Sequence, residues 1–278
     1  MERDFGNNRK CNDGVIACRF ALPYSSKWRG ACPGIAIESG DGMVQCIDKL
    51  YKEYCVKELS KYGFRRYGKN YWRISEGIFQ SFCLHKSVSG ENCTVEFVVK
   101  PLCSEHAITK NTCGSNHLKM FENEYSWFEY DRQNEQSIYS CVEEMIMYMK
   151  RYLIPYFERT TSAKDAYHEI KNFQREHYKE GILWSDRNLY NLALKSGLYD
   201  EAELHLVAYK EHITKAFKTN SEYLSDDEEY IQSMEEAIRQ VELELIYVQR
   251  RDLNFIQNYI TVNESLSLKN LGLILKEE

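Results

Sequence analysis

Between Lys61 and Lys100 the chain reads KYGFRRYGKNYWRISEGIFQSFCLHKSVSGENCTVEFVVK, and no other stretch limits the possible folds as tightly. Gly63 stands where a helix C-cap belongs, because glycine takes the left-handed backbone of that position without steric cost. Phe64 to Ile74 then predicts a strand rich in aromatic residues, with Phe79 to Ser87 as its partner and the β-branched run Cys93 to Lys100 as a third strand. The joints Ser75-Glu76-Gly77 and Ser89-Gly90-Glu91-Asn92 carry turn residues. Leu102 to Leu118 is expected to be a polar loop and Phe121 to Tyr130 a fourth strand, which together make an antiparallel sheet.

Ahead of this sheet, Val44, Ile47, Leu50, Tyr51, Tyr54 and Cys55 share one helical face and predict a helix from Met43 to Lys61. Residues 1–42 hold six of the fourteen glycines and two of the four prolines without periodicity, so they are expected to form a disordered leader or upstream sequence not belonging to the domain. From Gln133 onward the apolar period becomes helical. Ile138, Val142, Met145, Ile146, Met149 and Leu153 mark one helix expected to end near Pro155, and Ser162 to Asp165 resembles a capping box that opens another. Leu189 to Lys195 and Asp200 to Lys218 flank the turn Ser196-Gly197-Leu198-Tyr199. A second box at Ser225 to Glu228 opens a helix striped by Ile231, Met234, Ile238, Val241, Leu245 and Val248. The expected class is α+β: a sheet of about four strands with a packed N-terminal helix over 43–157, followed by a helical region over 158–278.

A net charge of −6 argues against a general nucleic-acid coat, yet Ser60 to Lys100 holds seven Lys or Arg against three Glu. Ten cysteines suggest a disulfide framework, but all lie irregularly between Cys11 and Cys141, and the apolar run Val15 to Leu22 is too short and too interrupted by Arg19 for an export signal. Reduced thiols in a cytoplasmic protein are therefore the expectation. No run approaches the length of a membrane span.

The residues Gly63-Phe64-Arg65-Arg66, Asn70-Tyr71-Trp72-Arg73, Gln80 and Thr94-Val95-Glu96-Phe97-Val98 follow a leading helix in an order that resembles the bacterial family of unknown function called DUF4304. The resemblance spans about Met43 to Phe157 and implies a fold; that family has no established activity to carry over. Leu189 through Tyr209 is similar to a single tetratricopeptide-type helix pair, although no second copy follows at the 34-residue interval a solenoid would need.

For chemistry, Cys103, His106, Cys113 and His117 supply two thiolates and two imidazoles in one loop, a donor set suited to zinc, against the plainer reading of a solvated loop. His85 and Cys83 share a strand face by period two, which orients either a Cys–His pair or an ordinary buried sheet pair. No phosphate loop, nucleophile elbow or His-Glu-x-x-His motif is present, and His168 and His177 are placed at a helix surface. The expected function is that of a cytoplasmic, non-catalytic protein-binding module, immunity-like in its concrete form. Its contact surface would be Arg65, Arg66, Tyr71, Trp72 and Gln80, since arginine and aromatic residues anchor interfaces. The alternatives are a nucleic-acid binder that stacks bases on Tyr67, Tyr71 or Trp72, and a zinc protein.

Overall fold

In a computed structural model, which describes residues 47–104, 107–114, 116–124, 126–177, 186–221 and 227–274, glycines set the breaks of the central segment. Helix α1 (Ile47–Leu59) tightens into a 3-10 turn at Ser60–Tyr62 and stops at Gly63, whose φ of 79° is left-handed and whose N–H donates to the Ser60 carbonyl. The single strand expected over Phe64–Ile74 is a hairpin instead. Gly68, with φ of 58°, reverses the chain between β1 (Arg65–Tyr67) and β2 (Asn70–Ser75). Glu76 and Gly77, with φ of 45° and 78°, make the next two-residue reversal into β3 (Ile78–Lys86), the positive pair that a type I′ turn requires. A longer turn leads to β4 (Asn92–Pro101).

Two short strands, β5 (Asn116–His117) and β6 (Phe128–Glu129), both pair antiparallel with β4. The sheet order is β1-β2-β3-β4-β5, with β6 beside β5 on the same edge of β4. Of the strand expected over Phe121–Tyr130 only β6 forms. Leu118–Glu122 winds instead as a 3-10 turn that buries Leu118 and Met120 and is closed by Asn123 at φ of 60°. The readings of residues 1–42, and of the first turn of the leading helix, lie outside the described residues.

The helical half follows as α2 (Glu135–Tyr148), α3 (Ile154–Arg159), α4 (Ala163–His177), α5 (Asp186–Lys195), α6 (Tyr199–Ser221), α7 (Glu228–Gln249) and α8 (Leu253–Leu271). Proline lacks the N–H a helix interior needs, yet the chain does not end its helix at Pro155. A single π-helical turn at Met149–Leu153 joins α2 to α3, and the wider ring upstream accommodates the proline within the first two positions of α3. Ser162 caps α4 as expected, accepting from Asp165 N at 3.2 Å. For α7 the cap is Asp227, which accepts from Tyr230 N at 3.0 Å; Ser225 and Asp226 lie outside the described residues. The α5–α6 hairpin turns at Gly197, φ 72°.

One apolar core runs from Ile47 in α1 through the sheet to Tyr259 in α8. The inner sheet face supplies Tyr71, Ile78, Phe82, Leu84, Val95, Phe97 and Val99, packed on helices that include α2, α3 and α4 through Val142, Phe157 and Phe173. A smaller cluster on the outer face joins Trp72, Phe79 and Val98 to Leu102, Ile108 and Leu271 of α8. There Ser267 Oγ donates to Leu102 O at 2.7 Å and accepts from Ile108 N at 3.2 Å, fixing α8 to the loop after β4. Inside the helical half, Arg187 and Glu244 form a buried two-pronged ion pair with N–O distances of 2.9 and 3.0 Å. Among the described residues no helix is long and apolar enough to cross a membrane.

Candidate functional site

Among the described residues β1 forms one edge of the sheet, and all three of its residues are exposed. Arg65 and Arg66 therefore sit where a partner can reach them. The Arg65 guanidinium lies 5.7 Å over the Trp72 ring, and the Lys110 ammonium lies 5.5 Å over Tyr67, so two cations and a half-exposed tyrosine share the outer side of this edge. Charged side chains on so short an edge also discourage unwanted strand addition.

The other three expected contact residues are corrected by burial. Tyr71 points from β2 into the main core, stacked on Phe82 at 5.1 Å, and burial raises its phenol well above the usual tyrosine range while nearby Arg66 works against that rise. Trp72 faces the opposite way into the outer cluster, stacked with Phe79 at 6.1 Å. Alternation along β2 sends neighbouring rings to opposite faces, and here both faces are covered. Base stacking by Tyr71 or Trp72 would need these rings exposed, which leaves Tyr67 alone of the three stacking candidates.

Gln80 is fully buried and fastens the sheet to α3. Its Nε2 donates toward Phe157 O at 2.6 Å and toward Thr160 O and Oγ1 at 2.9 Å, while its Oε1 accepts from Arg73 Nε at 2.6 Å. Arg73 in turn donates to Tyr62 O at 2.8 Å. This chain of bonds satisfies the end of α3 and the 3-10 turn after α1, so Gln80 is a structural residue rather than a contact.

A second constellation lies on the outer face. In register across five strands stand Tyr67, Asn70, Cys83, Glu96 and His117, with His85 two residues beyond Cys83 on β3. The loop after β4 folds back over this row. Ser81 Oγ donates to Thr112 O at 2.7 Å, Asn70 Nδ2 donates to Lys110 O at 3.1 Å, and the Cys113 thiol contacts Glu96 O at 3.8 Å. A Cβ at Gly114 would run into the Phe97 carbonyl, so glycine is what lets the loop lie this close. The Cys83 and Cys113 sulfurs and a Glu96 carboxylate oxygen consequently fall within 4.8 Å of one another. Glu96 Oε1 is also 3.4 Å from His85 Nδ1 and 3.8 Å from His117 Nε2, and both imidazoles meet the Trp127 ring edge-on at 5.4 and 5.5 Å.

Hydrogen bonding between the two thiols, followed by burial, pushes Cys83 up, whereas the same bond pulls Cys113 down. Burial lowers His117, offset in part by Glu96. The four expected zinc ligands are thus divided. Cys113 and His117 belong to this cluster. Cys103 does not: a tight turn with Leu102 N on Gly77 O and Ser104 N on Pro101 O aims it at α5, where its thiol contacts Asn191 O at 3.8 Å and burial raises it to about 12. His106 lies outside the described residues.

Period two had placed Cys83 and His85 on one face, and they are. Glu96 and Trp127 escaped the reading of the sequence. The signal for Glu96 was a lone carboxylate within CTVEFVVK, which pairs across from Cys83 once the β3–β4 register is drawn. No protein-family model, no curated protein and no solved structure matches this chain.

Proposed function

We propose that this protein is a non-catalytic protein-binding module that docks an acidic partner on the β1–β2 edge through Arg65 and Arg66. The observation that carries the reading is the exposure of both arginines, with Tyr67, on an edge strand that pairs on one side only among the described residues. No ion pair neutralises Arg65, Arg66 or Lys69 among the described residues, although Ser60 to Lys100 has an excess of positive charge in a chain of net charge −6. Guanidinium forks match carboxylates two-pronged, and such groups are the common anchors of interfaces. An immunity-like role is one concrete form of such binding. A cytoplasmic setting accords with this reading and belongs to the same proposal.

The test is a comparison of the tagged full chain with its Arg65→Glu/Arg66→Glu variant in capture from the native host. The expected result is one acidic protein held at near-equal stoichiometry by the parent chain and weakened roughly tenfold or more by the variant, as for the loss of an interface anchor. Equal capture by both would overturn the assignment of the edge. Recovery of nucleic acid that is released by added salt would replace it with the nucleic-acid reading, since phosphate contacts are salt-sensitive.

A further inference from the structure

We infer that Cys83, Glu96, Cys113 and His117 form a closed, structural binding site for a zinc-class divalent cation, which clips the loop after β4 to the outer face of the sheet. Three independent segments converge to build it: β3 brings Cys83, β4 brings Glu96 directly opposite, and the returning loop and β5 bring Cys113 and His117. Two thiolates with a carboxylate and an imidazole are the donor types of a tetrahedral zinc site, and sulfur donors disfavour magnesium and calcium. Around a tetrahedral zinc ion the donor atoms stand roughly 3–4 Å apart, given metal–ligand bonds of about 2.0–2.3 Å. Cys83, Glu96 and Cys113 lie within 4.8 Å of one another, close to that spacing, and His117, outside that group but with Nε2 3.8 Å from Glu96 Oε1, is the fourth donor that binding would draw in.

The surroundings suit an ion as well. Of the three buried polar atoms on the same face without a hydrogen-bond partner, Trp72 Nε1 lies in the apolar cluster and two lie beside the donors: Asn70 Oδ1, across from Cys83, and Thr94 Oγ1, across from His85. Buried polar atoms are ordinarily paired, so their grouping beside the cluster marks this part of the face as built for more than packing. Trp127 braces both imidazoles, and His85 contacts Glu96 from the solvent side at 3.4 Å, the place of an outer partner that orients a carboxylate ligand. Binding breaks two S–H bonds, forms two metal–sulfur bonds and releases the two protons to solvent, without any change of oxidation state.

The experiment is a titration of the reduced, chelator-treated full chain with cobalt(II), followed by displacement with zinc(II). The parent protein is expected to saturate at one equivalent with a thiolate-to-cobalt absorption band, and zinc is expected to abolish the band and raise the unfolding midpoint. In Cys113→Ser the affinity should fall by more than the roughly 100-fold that losing an outer partner costs, and zinc should no longer shift the midpoint. Cys103→Ser, altered at the buried thiol that faces α5, should titrate like the parent. No thiolate band in the parent protein overturns the site whatever the variants do, and so does a band that Cys103→Ser loses and Cys113→Ser retains. These outcomes are independent of partner capture, so the metal site and the arginine edge stand or fall separately.

Discussion

The two faces of the sheet are built from the same strands and behave differently. The inner face is largely apolar, with Phe82, Phe97 and Val95 meeting helices, and its buried amide, Gln80, is hydrogen-bonded through both its nitrogen and its oxygen. The outer face changes character halfway. At one end Trp72, Phe79 and Val98 are sealed by Leu271 of α8. At the other, Cys83, Glu96 and His117 lie under a loop held by single hydrogen bonds. The reach of α8 marks where apolar packing on the outer face gives way to a polar row. The same strands thus supply stability on one side and a set of convergent donors on the other.

The sharpest way to break this contrast is to remove one large side chain from each apolar region. Phe97→Ala, in the middle of the inner face, should cost about 3–5 kcal/mol in denaturant unfolding, because a fully buried ring leaves a cavity. Leu271→Ala, in the outer cluster at the last turn of α8, should cost nearer 2 kcal/mol, the lower end for leucine truncation, since a helix end relaxes more readily. Equal losses would mean that the outer cluster is not the lesser core. Gln80→Leu comes next. It keeps volume but leaves the carbonyls of Phe157 and Thr160 and the Arg73 Nε without their partner, and should destabilise by about 1–3 kcal/mol.

The smallest effect is a dependence on pH at His177, the last residue of α4, which meets the turn after β5. Its ring packs 4.4 Å from Phe173, its Nδ1 is 2.7 Å from Asn123 Oδ1, and burial lowers its pKa, with Glu176 opposing. The folded protein then binds fewer protons than the unfolded chain just below the ordinary histidine value of about 6.5. Stability should be full above that value and fall, by less than about 1 kcal/mol, as pH drops toward the lowered value. His177→Gln should flatten this part of the pH–stability curve measured by thermal unfolding.

Much of the architecture was legible because its causes are local. Gly63 stops a helix wherever it stands, Ser162 caps the helix that follows it, and the switch from period two to a helical period separates sheet from helices. Errors arose where a local signal had two solutions. Gly68 turned an expected strand into a hairpin, and the π turn at Met149–Leu153 carried the helix past Pro155.

The candidate sites divide in the same way. By itself the sequence determined that Arg65 and Arg66 flank an aromatic segment, that Cys83 and His85 share a face, and that Cys113 and His117 follow in one loop. Only the tertiary structure decided that Tyr71, Trp72 and Gln80 are buried, that Cys103 turns to α5, and that Glu96 meets Cys83 and Cys113. Periodicity tells which side chains point the same way. What covers a face, and which distant donors converge on it, depends on strand register and on how far α8 and the loop after β4 extend over the sheet.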